Sequence, residues 1–426
     1  VKRKNHWVLF AILLLALISL SPGEDRAYVQ NEDPGFLESP PPPNREVEEA
    51  PGHIRVAVQL EPEAFKLLED RTRIFMDSYH VSVDLVNEYG KDVYDLFRGD
   101  LALHDAPDVL LVDNAWIREF AVKGYLLPVD NYYSGAAAGN SLSTLQSFSE
   151  WNGYLWAIPK DMDPYVLVYN PETINKLGMN RLPETQAEWD KLYKAVKERG
   201  EPKTLKLLSA DLEDPQAVLA LLHRFGANLS LKTGAPSAVL SEEDRAAIRL
   251  IESVRPGLSD LKEKGAGEGL EQVAKGQTVL ALVPYSEFVA HPERGLHAET
   301  PGGGTEASNR ITLLGHSFVV TAETIDTETA GRWITAMTEA AEQKLWYEKT
   351  GSLPALKSLY DATEENRISP WLEAAGDKNI LWSLPVGENT QAVISLVSEH
   401  AVPFLRGQTT GDAFMNQLAS DLKPNR

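Results

Sequence analysis

The chain has 426 residues, 62 acidic side chains against 41 basic ones, and a formal net charge of −21. That length exceeds one ordinary core and implies two or three folding units, while 43% hydrophobic and 24% charged residues are globular proportions. The acidity argues against nucleic-acid binding, which needs a basic footprint, and against docking on anionic lipid. With no cysteine, disulfides, thiolate nucleophiles and cysteine metal sites are excluded.

Lys2, Arg3 and Lys4 precede a run of 14 nearly all apolar residues, Trp7 to Leu20. This is the charged start and apolar stretch of a secretory signal, and it is shorter than the roughly 20 residues of a spanning helix. Residues 1–22 are therefore expected to be a signal peptide, with an uncleaved anchor as the alternative. Residues 22–50 hold eight acids, two arginines and the run Pro40–Pro43. Such a segment cannot bury enough apolar area to fold, so residues 23–52 are expected to be an extended linker.

The folded body begins near His53. Ile54, Val56 and Val58 alternate as a strand does. Glu61-Pro62 opens a helix, with Phe65, Leu68, Thr72, Phe75, Met76 and Tyr79 on one face. Val81, Val83 and Leu85 form a second strand, and a helix through Val93, Leu96 and Phe97 follows. Val109–Val112 is a continuous apolar run, as a central parallel strand requires, and Asp113-Asn114 starts the next helix. Alternating strands and helices predict an α/β fold with parallel-rich sheets flanked by helices. Further strands are expected at Leu155–Ile158, Tyr165–Tyr169, Val279–Val283 and Phe318–Thr321. Helices are expected at about 185–198, 214–225, 241–254 and 268–275, and the last hundred residues are mainly helical. Gly302–Gly304 reads as loop.

Motifs for catalysis are weak. Gly315-His316-Ser317-Phe318-Val319 lacks the last glycine of a nucleophile elbow, and its serine precedes a strand instead of following one. The nine histidines show no paired spacing, so no metal site is expected. Asp161 and Asp163 suggest a paired-carboxylate glycosidase only as a minor alternative. No cofactor and no catalytic residue are assigned.

Four segments, in order, resemble the sugar-binding family of extracellular solute-binding proteins. They are Pro107–Tyr133 (PDVLLVDNAWIREFAVKGYLLPVDNYY), Trp151–Asn170 (WNGYLWAIPKDMDPYVLVYN), Gly276–Tyr285 (GQTVLALVPY) and Ala341–Ser358 (AEQKLWYEKTGSLPALKS). Leu396–Asp421 is similar to that family's closing helices. Two features depart from it: there is no lipobox cysteine, and the usual Thr-Trp before the mid-chain helix reads Thr185-Gln186.

The resemblance implies the two-lobed periplasmic-binding-protein-like fold, with a ligand cleft at the hinge. Lobe 1 would take residues 53–162 and 316–352, and lobe 2 residues 163–315 and 353–426. It further implies a monomer that captures a small solute, a mono- or oligosaccharide, and passes it to ABC permease subunits at the outer face of the membrane. Signalling to a membrane sensor is the alternative. Sugar hydroxyls need planar donors and acceptors, and a ring's apolar face needs a flat aromatic. The cleft candidates are Gln59, Glu61, Asp113, Asn114, Trp116, Asp163, Tyr165, Tyr285, Ser286 and Trp382. Glu61 and Asp113 could instead cap helices, Asp163 could only shape a turn before Pro164, and Trp116 could be core. Asp163 matches the family's cleft acid, and Tyr285 matches its stacking aromatic in place, though not in type.

Overall fold

A computed structural model describes residues 52–422, except 134, 200–203, 230–240, 262–264, 292–294, 302–310, 362–367, 369–370, 372–380 and 383–386. The signal-like start, the linker up to residue 51, the Gly302–Gly304 loop and the Trp382 side chain lie outside the described residues.

The first half follows the sequence periodicity closely. Strand β1 (His53–Val58), helix α1 (Pro62–Tyr79), β2 (Ser82–Asn87), α2 (Val93–Ala102), β3 (Val109–Asp113), α3 (Ile117–Val122) and β4 (Leu126–Leu127) alternate. Helix α1 buries Leu68, Thr72 and Phe75, spaced three and four apart on one face. The continuous apolar run of β3 is buried on both sides. Leu110 and Val112 join one core cluster, while Val109 and Leu111 join another.

Helix α4 (Ser143–Ser149) leads to short strands β5 (Ile158–Pro159) and β6 (Asp161–Met162), then β7 (Tyr165–Tyr169). Further elements include α5 (Gln186–Arg199), β8 (Lys206–Ala210), α6 (Pro215–Arg224), α7 (Glu242–Val254), β9 (Leu258–Asp260), α8 (Gly265–Ala274), β10 (Thr278–Pro284) and α9 (Tyr285–Ala290). They continue with β11 (Ile311–Thr312), β12 (His316–Thr321), α10 (Thr327–Met337), α11 (Ala340–Thr350), β13 (Leu353–Pro354), β14 (Leu381–Trp382), α12 (Thr390–Leu405) and α13 (Gly411–Asp421).

Two sheets result. The first runs β2-β1-β3-β12-β4, with β5 also on β12. The second runs β9-β8-β10-β7-β11-β14, with a short strand at His297–Ala298 on β7. In each, three parallel strands meet an antiparallel one: β12 lies against β3, and β7 against β10. Those two strands have just crossed from the other sheet and enter against the local direction. This is the two-lobed α/β fold expected from the sequence.

Two local expectations need correction. Leu155–Ile158 is not one strand. Tyr154–Leu155 pairs with Glu150–Trp151 in a hairpin, and Ile158–Pro159 pairs with β12. Trp156 breaks the run, because its indole N–H donates to the Trp151 carbonyl at 2.9 Å and its backbone N–H to Ser149 at 2.9 Å. Asp113-Asn114 does not start a helix either. A turn intervenes, in which Asp113 Oδ1 accepts from the Ala115 N–H at 2.6 Å, and α3 begins at Ile117.

Candidate functional site

The chain passes between the sheets three times: from β5 to β7, from β11 to β12, and from α11 through β13. The crossings are tied to one another. Lys160 N donates to His316 O at 2.9 Å, and Asp163 N to Leu314 O at 2.9 Å. Strand β13 pairs with β6, Leu353 opposite Met162. The first two crossings approach so closely at Gly315 that a Cβ there would lie 2.4 Å from the Asp161 carbonyl oxygen, a space only glycine leaves.

Around this junction lies an ion-paired trio of two buried residues, Lys160 and Asp161, and the part-exposed His316. Lys160 and Asp161 are 3% and 2% exposed. Lys160 Nζ sits 3.0 Å from Asp161 Oδ2 and over the Trp346 ring of α11. Asp161 Oδ1 accepts from the His316 backbone N–H at 3.1 Å and faces His316 Nδ1 at 2.9 Å. Burial pushes the Lys160 ammonium down to about 8, partly countered by Asp161. Burial pushes Asp161 upward, but Lys160 and His316 together outweigh it and hold the carboxyl well below its usual range. Burial lowers His316, yet Asp161 overcomes that and raises the imidazole to about 9. Two cations thus share one carboxylate.

Three further carboxylates stand beside the trio with neutral partners. Asp113 ends β3, is buried, and accepts from Gln216 Nε2 in the first turn of α6, across from the first sheet. Asp163 follows β6 and accepts from Ser286 N at 2.9 Å and Ser286 Oγ at 2.6 Å, at the start of α9. Asp214 caps α6 through the Gln216 N–H at 2.8 Å and accepts from the Tyr165 hydroxyl. Burial raises all three acids, to about 6 for Asp163, against the opposing pull of the His316 charge at Asp113, of these hydrogen bonds, and more weakly of His316 at Asp163. Burial and the neighbouring Asp214 raise Tyr165 well above the ordinary phenol range.

Aromatic rings frame the cluster. Tyr285, 6% exposed, meets Trp371 edge-on at 5.3 Å. Trp116 packs against Tyr94 at 5.3 Å and Phe120 at 6.4 Å, and its indole N–H donates to Gln391 Oε1 of α12 at 3.0 Å. The Trp116–Gln391 and Asp113–Gln216 hydrogen bonds join the segment after β3 to α12 and α6.

The structure brings Asp113, Asn114, Asp163, Tyr165, Tyr285 and Ser286 to this junction. Gln59 and Glu61 sit at the end of β1 with other partners: Gln59 Nε2 donates to Lys91 O at 3.0 Å, and Glu61 accepts from the Tyr89 hydroxyl. Glu61 precedes α1 but makes no side-chain capping bond, and Asp113 caps no helix. Sequence reasoning missed Lys160 as a paired base, and it missed His316, Asp214 and Gln216. Asp214-Pro215 carries the same acid-proline signal as Glu61-Pro62, but the strand before it, Lys206–Ala210, was not anticipated. Among the described residues no group of three or more His, Asp or Glu could hold a metal ion, and no helix is long and apolar enough to cross a membrane.

Solved structures share this architecture. The GacH receptor of Streptomyces glaucescens GLA.O, solved unliganded and with acarbose, superposes with a TM-score of 0.72 at 19% identity, covering 88% of this chain and 100% of that one. Maltose-bound MalE3 of T. maritima gives 0.71 at 18% identity, covering 87% and 99%. UgpB of Mycobacterium tuberculosis, in complex with glycerophosphocholine, gives 0.69 at 18% identity, covering 88% and 98%. The family of bacterial extracellular solute-binding proteins matches residues 63–344, well over half of the chain, and reaches from α1 into α11. With the two-sheet fold and the tied crossings, that match makes this chain a member of the bacterial extracellular solute-binding protein family.

Proposed function

We propose that the protein captures a carbohydrate-like solute outside the cytoplasm by lobe closure and delivers it to the permease subunits of an ABC importer. The observation that carries this reading is the meeting of Asp113, Asp163, Asp214, Gln216 and Ser286 beside three tied crossings, with Tyr285 at their edge. Ligands of open α/β sheets bind at the carboxyl ends of strands, which is where Asp113 and Asp214 stand. Lobe 1 is assigned residues 53–162 and 316–352, and lobe 2 residues 163–315 and 353–426. Opening and closing is a hinge motion about the crossings, and the ligand shifts it by its preference for the closed form. Gln59 and Glu61 are assigned to the outer rim.

The chain acts as a monomer, without cofactor, and binds without turnover. Residues 1–22 direct export, a point that N-terminal sequencing of the exported protein checks. The acarbose and maltose complexes of the related folds support a polyhydroxyl ligand. The deciding experiment is a thermal-shift screen of the full chain against mono- and oligosaccharides, with amino acids, polyamines and oligopeptides as controls. Binding to the folded state raises the melting temperature by mass action. A saturable shift with sugars is expected. A shift only with the controls removes the carbohydrate, and release of a hydrolysis product removes the pure binding role.

A further inference from the structure

The charge balance of the junction is uneven, and this bears on the chemistry of the ligand. Lys160 and His316 both point their charge at Asp161, at 3.0 and 2.9 Å. Among the described residues, no Lys, Arg or His nitrogen comes within salt-bridge distance of Asp113, Asp163 or Asp214. Each of these three accepts hydrogen bonds from neutral donors, Ala115 N and Gln216 Nε2, Ser286 N and Oγ, Gln216 N and the Tyr165 hydroxyl, and only the more distant charge of His316 acts on Asp113 and Asp163. With Lys160 and His316 protonated and the four carboxylates ionised, the six groups sum to an excess of two negative charges. Removing carboxylates from water without a counter-charge is costly, and a cation arriving at the site offsets that cost.

A second observation is independent of the acids. Asn114, 2% exposed, lies between Asp113 and the start of β12. Its side-chain carbonyl accepts from Ser317 Oγ at 2.6 Å, which leaves Nδ2 as a buried donor with no hydrogen-bond partner among the described residues. Nδ2 stands beside the Gly315 crossing, 3.2 Å from where a Cβ would be. A buried donor of this kind calls for a neutral oxygen acceptor, such as a hydroxyl or ring oxygen. A simple amine supplies no such acceptor, and a neutral sugar supplies no counter-charge.

Resting on the capture function proposed above, we infer that the ligand is an amino sugar, whose ammonium group is taken up among Asp113, Asp163 and Asp214 while a sugar oxygen accepts from Asn114. The surplus of carboxylates selects for the protonated amine, and the hydroxyl face selects against a bare polyamine.

Isothermal titration of the full chain with matched probes tests this. The cationic set is glucosamine and fully deacetylated chitobiose. The neutral set is glucose, N-acetylglucosamine, N,N′-diacetylchitobiose and maltose, and spermidine is the sugar-free amine. The cationic sugars are expected to bind at least tenfold tighter than their N-acetyl counterparts and than spermidine. Asp163→Asn, which keeps one acceptor oxygen for Ser286 and removes the charge, is expected to abolish that preference, and Asp214→Asn provides a second variant if the first does not fold. Equal or tighter binding of the neutral sugars overturns the amine assignment and leaves carbohydrate capture standing. Tightest binding of spermidine overturns the amino sugar and the carbohydrate together, as does binding of no probe. A preference that survives both substitutions overturns the role given to these carboxylates.

Discussion

One junction holds two sets of carboxylates, and they are treated differently. Asp161 lies between two cations at about 3 Å and is driven well below its usual range. Asp163, two residues later, accepts hydrogen bonds only from Ser286, and burial pushes it up to about 6. Both are partnered, but only the first is neutralised. A neutralised acid on the tied crossings holds the hinge together. An acid hydrogen-bonded but not neutralised is held in position at an electrostatic cost, as binding sites often are.

The sharpest way to break this comparison is to remove the two acids separately. Asp161→Ala leaves Lys160 buried without a counter-ion and the part-exposed His316 without its partner, and loss of one partner of a buried pair costs about 3–5 kcal/mol. A strongly lowered melting temperature is expected. An unchanged one would mean that the trio contributes no net stability. Asp163→Ala should do the reverse, with little change in melting temperature and a loss of ligand affinity. A buried hydrogen bond to a charged group is worth about 1.5–3 kcal/mol, which titration calorimetry resolves. Unchanged affinity removes Asp163 from the site.

A smaller effect separates the aromatics. Tyr285→Ala should weaken binding by roughly 0.5–1.5 kcal/mol, the range for an aromatic pair beyond its area. Trp116→Ala should act mainly on stability, because the ring is packed between Tyr94 and Phe120. A loss of affinity with Trp116 and none with Tyr285 reverses the choice of platform.

The gentlest test is pH. Asp163 is raised by burial to about 6, so its contribution is fully present below its unfolded value near 4 and is lost as pH rises through 6. His316 is raised chiefly by Asp161 to about 9, so its contribution is present below about 6.5 and is lost as pH rises through 9. Stability of the ligand-free protein should therefore fall in two steps. Asp163→Asn should shrink the lower step, to which the raised Asp113 and Asp214 also contribute, and His316→Gln should remove the upper one, read as melting temperature against pH. A lower step unchanged in Asp163→Asn assigns it to the other two acids.

Much of this was legible beforehand, and the reasons can be read from particular residues. The alternation of Ile54, Val56 and Val58, the helical stripe Leu68, Thr72 and Phe75, and the unbroken run Val109–Val112 record local periodicity, which a single segment carries by itself. The strand ends put Asp113, Tyr285 and Ser286 near one junction. What no segment carries is the partner. Gln216 reaches Asp113 from 103 positions away, and His316 reaches Asp161 from 155. The chain alone determined where strands end and which polar groups stand there, because side-chain period and turn chemistry act over a few residues. Only the tertiary structure decided which acids are neutralised and which are not, because charge compensation depends on distance through space, and that distance is set when three separate crossings pack against each other.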